Sequence, residues 1–484
     1  MDRRETIYCR RHYSEGSNRE IIIDLEDITI MTNLNVTRKL AEYAVTHKEF
    51  NDQAVHEAKR CMLDWLGVAF GGSSHEGVDI ILKTGSCLGN SQIATVIGRN
   101  EKIDVLHAAL VNGFMAHVLD YDDTHLDSFV HPSPPVWSAL SALSAIYPIN
   151  GKEALEAFII GFEVETRIGK VLFRKHEERG WHMTGMAGGF GAAAAVGRIL
   201  GLTVEQMQQA FGITATYASG LRSMFGTMSK SIHPGKAAMS GLYGALLAKN
   251  GFSSALDVLE ARRGYFEVNA SESDLQAAVE GLGNSFEIFK NSVKPYACGV
   301  VTHPIIDGAI ALRKQFAANQ SDIERVEIEV NPMVLDVTAK ENPSTGLEGK
   351  FSVYHCTAAG LLDGECGPKQ FTNERVNAHD IAEVRKKVSA RINKNYQTYE
   401  SKVTLYHYSG EKYSHYVPFA KGTENNPLTD QELEGKYKSM AKEAINEERA
   451  DNLAQFVWNL NDKVFLSDVL KQCSSEEFIK AGEG

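Results

Sequence analysis

Two stretches of this chain, GMAGGFGAAAAVGRILGL (185–202) and GKAAMSGLYGALLAKNGF (235–252), are so dense in glycine and alanine that neither can be an ordinary surface helix. Side chains this small let helix backbones approach closely, so both segments are expected as central, buried helices of a tightly packed bundle. Around them the pattern is almost wholly helical from about residue 33 to 285. NVTRKLAEYAV, DQAVHEAKRCMLDWLGVAFGG and VLHAALVNGFMAHVL each repeat apolar residues at i, i+3, i+4 and i+7. Asn51 and Asp52 read as a helix start and Gly71 and Gly72 as its stop. KEALEAFIIGFEVETRIGKVLF is another long helix, and Thr203 with Gln206 forms a loose capping box.

The character changes near residue 286. DIERVEIEVNP (322–332) alternates and is β-branched, which predicts a strand. VRKKVSARINKN (384–395) and SKVTLYHYSGEKYSHYVPFAKG (401–422) read as further strands, the latter a hairpin turning at Ser409-Gly410. Helical patterns at 303–317 and 350–363 lie between them. The expected fold is therefore mainly α: a large all-helical domain over 31–285, a smaller α+β domain over 286–426, and C-terminal helices, 427–484, returning to the first. Residues 1–30 are polar, mixed in charge, without a signal peptide's apolar core, and read as an extension.

Bulk composition excludes several functions. A formal net charge of -12 argues against general nucleic-acid or anionic-membrane binding. Seven scattered cysteines without a C-x-x-C pair argue against a disulfide framework or structural zinc, and a reducing, cytoplasmic setting is the default. No apolar run is long enough to span a membrane.

Four segments could carry chemistry. HVLDYDDTHLDSFVHPSPP (117–135) crowds Asp120, Thr124 and His131 with further acids and histidines. Helix termination explains much of it, since Asp, Thr and Pro favour caps and turns; a metal site is disfavoured because the tight H-x-x-x-H spacing is absent. RGWHMTGMAGG (179–189) places His182 before a Gly/Ala helix, as a buried structural histidine or as an acid–base group. Gly189 to Ala194 match a loose dinucleotide fingerprint, but no strand precedes them, so no such cofactor is expected. TMSKSIHPGKAAMSG (227–241) puts Lys230, His233 and Lys236 around a Pro-Gly turn before a helix. Its lysines read as a carboxylate site, or as solvated loop residues. FKNSVKPYACGVVTHPIIDGA (289–309) brings Lys290, Lys294 and His303 to the junction of the two domains, where ligand pockets are favoured.

Taken together, CMLDWLGVAFGG, HVLDYDDTH…HPS, GWHMTG, SKSIHPGKAAMSG, VKPYACGVVTH and KGTENNPLTDQEL resemble the MmgE/PrpD superfamily from about residue 33 to the C-terminus. That family includes 2-methylcitrate dehydratase, cis-aconitate decarboxylase and iminodisuccinate epimerase. The resemblance implies an all-helical domain with a smaller α+β lid, usually as a homodimer, and cofactor-independent, metal-free chemistry beside a carboxylate of a small polycarboxylic acid. Carried across, the decarboxylase site falls on Asp120, Thr124, His131, His182 and Lys230, with Lys294 as the second lysine and Lys290 its alternative. His131, His182, Lys230 and Lys294 are the expected catalytic residues, and Asp120, Thr124 and Lys236 the expected substrate contacts. Asp120 could also fix a histidine tautomer. Two departures stand out: Val334-Leu335 occupy the place of a lid tyrosine of mammalian-type decarboxylases, and typical methylcitrate dehydratases lack the HPGKAA run. A lyase is the first expectation, an epimerase of an amino- or imino-dicarboxylate the second, and a non-catalytic carboxylate-binding protein the third.

Overall fold

The computed structural model describes residues 34–89, 91–173, 180–270, 274–315 and 320–475; the expected N-terminal extension lies outside them. Its larger part is a helical bundle of α1 (Val36–Thr46), α2 (Asp52–Gly72), α3 (Glu76–Leu88), α4 (Val105–Val118), α5 (Ser133–Leu143), α6 (Gly151–Phe173), α7 (Met183–Ile199), α8 (Val204–Ala215) and α9 (Met228–Lys249). The Asn51 side chain caps α2 by accepting from Ala54 N–H, and Thr203 with Gln206 forms a reciprocal capping box on α8. Both starts are where Asn and Thr satisfy backbone donors that a helix leaves open.

The two glycine-rich segments lie at the centre, as their composition predicts. Helix α9 packs against α4, α5, α7 and α8, and α7 packs on α6 and α9. Close approach is the reason for glycine: a Cβ on Gly113 of α4 would lie 2.6 Å from the Cα of Gly235 on α9, so neither position tolerates a side chain. Gly189 to Ala194 lie inside α7, beyond its first turn and not at its start, which removes the dinucleotide match.

The helical pattern does not run unbroken to 285. From Gly251 to Lys290 the chain forms turns and short helical pieces. The start of α9 also departs from expectation: Pro234 is not in a turn before the helix but inside it, in its second turn. A proline there removes one backbone hydrogen bond near the helix start, which the packing of α9 on all sides outweighs.

The smaller part is a four-stranded sheet ordered β4-β3-β5-β6, from β3 (Ile323–Val330), β4 (Val388–Ile392), β5 (Ser401–His407) and β6 (Lys412–Val417). Strand β3 pairs parallel with β4 and antiparallel with β5, and β5–β6 is the expected hairpin, with Gly410 at φ 89°. Residues 384 and 385, the leading end of the strand expected at 384–395, instead close a short helix over 379–385, so β4 is shorter. Helix α10 (His303–Gln315) packs on β5, β6 and α11 (Val353–Leu362), burying an apolar core distinct from that of the bundle. A C-terminal helix, α12 (Asp430–Ile445), returns to α2, with Tyr437 fully buried in the bundle core.

One small pairing positions the site. Strand β1 (Thr124–His125) pairs antiparallel with β2 (Asn291–Ser292), clasping the acidic segment of the bundle to the junction segment that carries Lys294.

Candidate active site

Helix α4 ends at Val118, and the chain turns sharply through Asp120, which has a left-handed φ of 49°. Aspartate tolerates this conformation better than most residues. The turn buries the Asp120 carboxylate between two ammonium groups: Lys230 Nζ lies 2.9 Å from one oxygen and Lys294 Nζ 2.5 Å from the other. Lys294 also donates to the Asp120 carbonyl at 3.2 Å. Burial alone would raise the Asp120 carboxyl, but Lys230 and Lys294 outweigh it and hold it well below the usual carboxylate range. Burial pushes Lys230 down despite Asp120, whereas Lys294, facing both Asp120 and Asp122, is pushed up in spite of its burial. Lys230 further sits 5.2 Å from the ring centres of Phe225 and Phe351, a cation–π arrangement that favours its charge. Behind the turn, buried Lys350 donates to the carbonyls of Leu119 and Ala297 at 2.6 and 2.8 Å, tying the bundle to the smaller part; burial lowers it to about 8.

A shelf of histidines faces this trio. His131 Nδ1 lies 2.9 Å from the Asp123 carbonyl, 3.1 Å from Thr124 Oγ1 and 3.3 Å from Asp122. A carbonyl and a carboxylate only accept, so Nδ1 carries the hydrogen and Nε2 is bare. His117 Nδ1 is fixed in the same way by Asp122 at 2.7 Å. Burial lowers His117 to about 3 and lowers His131, in both cases against the pull of Asp122, so both rings are neutral near pH 7. His182 stands at the start of α7, its Nδ1 2.8 Å from His233 Nδ1 and its buried Nε2 without a partner among the described residues. Burial first, then Lys230 and His117, push it well below the usual histidine range.

Asp120, Thr124, His131, His182, Lys230 and Lys294 all line one cavity, six of the seven residues expected from sequence. Its other walls are largely apolar, with Phe129, Met183, Phe225, Met333, Val337 and Phe351 beside one further cation, Arg222; Val334 and Leu335 are not on the lining. Lys236 is elsewhere. It sits six residues after Lys230 on one helix, about 120° around the axis at 100° per residue, and its ammonium binds Ser219. Lys290 is also outside, paired with Asp127 and Glu287. The expectation that Asp120 orients a histidine is corrected as well: its oxygens hold lysines, and Asp122 orients the rings.

Sequence reading placed Asp122 and His117 in the acidic cluster without a role, passed over Lys350 and Phe351, and gave His233 no separate role. Lys230 and His233 are three residues apart, the spacing that shares one helix face, but the Pro-Gly pair disguised that helix. His303, singled out at the junction, is buried outside the cavity, its Nε2 3.4 Å from the Cys298 carbonyl.

Among the described residues, His117, His131 and His182 could hold a metal, each offering a nitrogen within 4.8 Å of the others, as could His125, Asp127 and Glu287. The first group lies beside two ammoniums, whose repulsion of a cation opposes its use as a metal centre. Of the charged residues that line the cavity, Arg222 pairs with Asp336 while Lys230 and Lys294 share Asp120, which leaves one positive charge in excess on the wall. Such a wall favours an anionic ligand.

Comparison with known proteins agrees with this chemistry. Residues 38–278 match the MmgE/PrpD N-terminal domain and residues 296–462 the MmgE/PrpD C-terminal domain. The chain is similar to cis-aconitate decarboxylase of Aspergillus terreus, 25% identical over 467 residues that cover 90% of this chain and 95% of that protein. It is 26% identical to the mouse cis-aconitate decarboxylase, covering 85% and 87% of the two chains, and 27% identical to the human one, covering 85% and 88%.

Proposed function

Since this chain belongs to the MmgE/PrpD family and is an enzyme of the lyase type, we propose that it decarboxylates a small unsaturated polycarboxylate of the cis-aconitate kind. The observation that carries this reading is the single carboxylate of Asp120 held by two buried ammoniums in a cavity that also contains His131 and His182.

Asp120 keeps Lys230 and Lys294 charged and aimed, leaving net positive charge for the substrate. A substrate carboxylate beside the ammoniums makes charge-assisted hydrogen bonds. When the carbon–carboxylate bond breaks, its electron pair stays on the substrate, delocalised toward the remaining carboxylate, and carbon dioxide leaves. Preorganised ammoniums stabilise that charge as it forms, commonly the largest contribution in such sites. The carbanion then takes a proton from the Nε2 of a histidine. His182 suits this role because its Nε2 has no other partner among the described residues and its Nδ1 is held by a group that can donate. His131, with Nδ1–H locked and Nε2 bare, suits the role of acceptor or base. Phe225, Phe351, Met333 and Val337 reduce water near the carbanion, which strengthens each electrostatic contact.

Carbon dioxide release from cis-aconitate, 2-methylcitrate, citrate and iminodisuccinate tests the reading. The expected result is release from cis-aconitate, abolished by His182→Gln. Loss of water without carbon dioxide would replace decarboxylation by dehydration, and α-proton exchange alone would replace it by isomerisation.

A further inference from the structure

A neutral imidazole is a poor acid. If His182 gives its Nε2 proton to a carbanion unaided, it becomes an imidazolate, which a buried site does not support. His182 therefore needs a proton at Nδ1 as it loses the one at Nε2. Its Nδ1 faces one ring nitrogen, the Nδ1 of His233, at 2.8 Å. Two imidazole nitrogens at that distance hold one hydrogen between them, so the tautomers of the two rings are linked.

We propose that His233 is the positioning and proton-relay partner of His182, setting which nitrogen of His182 carries the hydrogen and resupplying it during turnover. In the acid form, His233 Nδ1–H donates to bare His182 Nδ1, and His182 presents Nε2–H to the cavity. On turnover the His182 Nε2–H bond breaks and the substrate C–H bond forms. The His233 Nδ1 proton moves to His182 Nδ1, and a water-derived proton is taken up at His233 Nε2. Both rings end neutral, each with its hydrogen on the other nitrogen, and the net proton comes from solvent. Once product leaves, water gives a proton to His182 Nε2 and takes one from His233 Nε2 while the shared hydrogen returns to His233 Nδ1, which restores the acid form. This step rests on the decarboxylase reading; the tautomer linkage does not.

The local structure fits the role. His233 shares a helix face with Lys230, so one element carries both the charge that anchors the substrate and the group that addresses His182. Gly220 lies against the His233 ring, where a Cβ would come within 3.2 Å of Nδ1, and the Gly220 carbonyl accepts from His182 N–H. The same loop thereby seats both rings. His233 is 8% exposed and His182 4%, so the outer ring is the one nearer solvent. The charged and titratable groups around the pair are Lys230, His117 and His131 about His182, and Lys236 and Lys230 about His233. Burial first, then these lysines, lower His233 to about 4, so the pair is neutral at pH 7 and shares its hydrogens in the way the relay requires. Asp122 fixes His117 and His131 in one tautomer each; the His182–His233 pair is the one linked through matching nitrogens.

The test uses the full chain labelled with ¹⁵N-histidine, as wild type, His233→Leu and His233→Asn, with His182→Gln to identify the His182 signals. Long-range ¹⁵N–¹H spectra are expected to show one dominant His182 tautomer in wild type and in His233→Asn, whose side chain can still hold Nδ1. In His233→Leu the tautomer is expected to shift or mix. On cis-aconitate, both variants are expected to lose kcat by about 10²-fold or more with KM within about threefold, because neither passes a proton. An unchanged His182 tautomer in His233→Leu overturns the linkage. Wild-type kcat in His233→Asn overturns the relay. If wild type turns over none of the acids, the decarboxylase reading fails, and the tautomer spectra still decide the linkage.

Discussion

Two buried lysine–carboxylate clusters lie a few residues apart in this molecule and differ in one respect. Lys436 on α12 pairs with Asp64 on α2 at 2.5 Å, donates to the Tyr121 carbonyl at 2.6 Å and lies over the Tyr121 ring at 4.1 Å. One ammonium meets one carboxylate there, outside the cavity described above. At Asp120 two ammoniums meet one carboxylate, inside that cavity. The balanced pair fastens helices together. The unbalanced trio holds charge ready for something that is not protein. Breaking a buried pair from one side strands a charge, whereas removing one lysine of the trio leaves a balanced pair behind.

The largest expected contrast comes from lysine replacements. Lys230→Met should lower turnover about 10²–10³-fold with little change in urea midpoint. Lys436→Met should cost about 3–5 kcal/mol of stability while folded protein keeps nearly normal kcat. Steady-state kinetics and urea melts on both variants check this; the reversed pattern would erase the distinction between the clusters.

A smaller effect is ligand stabilisation. A small dicarboxylate at about 100 times its Kd should stabilise the wild type by roughly 2.7 kcal/mol. In Lys230→Met, where no excess charge remains, the thermal shift should largely vanish; an equal shift in both proteins would place the anion elsewhere.

The clusters should also differ in the sign of their pH dependence. Asp120 is depressed in the folded state, so its contribution is complete above the ordinary carboxylate value and is lost as pH falls through the depressed one. Asp64 is raised by burial, which Lys436 only partly offsets, so its folded form binds the extra proton and stability declines as pH rises through that window. Asp64→Asn should flatten that decline and Asp120→Asn should not, by about 1.4 kcal/mol for each unit of displacement. Urea midpoints from pH 3 to 7 measure both slopes.

The smallest effect concerns Lys236. Burial lowers it to about 8, but its ammonium binds Ser219 and not the cavity. Lys236→Met should change kcat/KM less than about twofold, within the usual range for replacements away from a site; a tenfold loss would show that the cavity reaches α9 further along than its lining residues indicate.

Much of the fold was legible because period and small-residue density are local signals. The buried helices α7 and α9, the Asn51 and Thr203 caps and the hairpin at Ser409-Gly410 are all written in a few adjacent residues. Legibility failed where packing overrode local chemistry. Pro234 reads as a helix breaker, yet contacts on every side keep α9 helical through it. Arg385 and its neighbours read as strand but close a short helix before β4. At the site, family likeness picked out the residues that now line one cavity; Lys236 was added by the reading of the 227–241 segment as a carboxylate site, where two lysines six residues apart look adjacent in sequence. Asp122 was given no role and Lys350 was not singled out, because a residue that orients another carries no local signature. Their importance exists only through His117, His131 and the carbonyls of Leu119 and Ala297, positions brought together by the tertiary fold.

The most direct test of the central claim is proton NMR of purified protein with cis-aconitate in D₂O. The account predicts new vinyl and methylene signals of a decarboxylated product carrying one solvent deuteron, formed by wild type and lost in Lys230→Met. An unchanged cis-aconitate spectrum, or equal product from Lys230→Met, would contradict the assignment of the Asp120, Lys230 and Lys294 trio as the seat of catalysis.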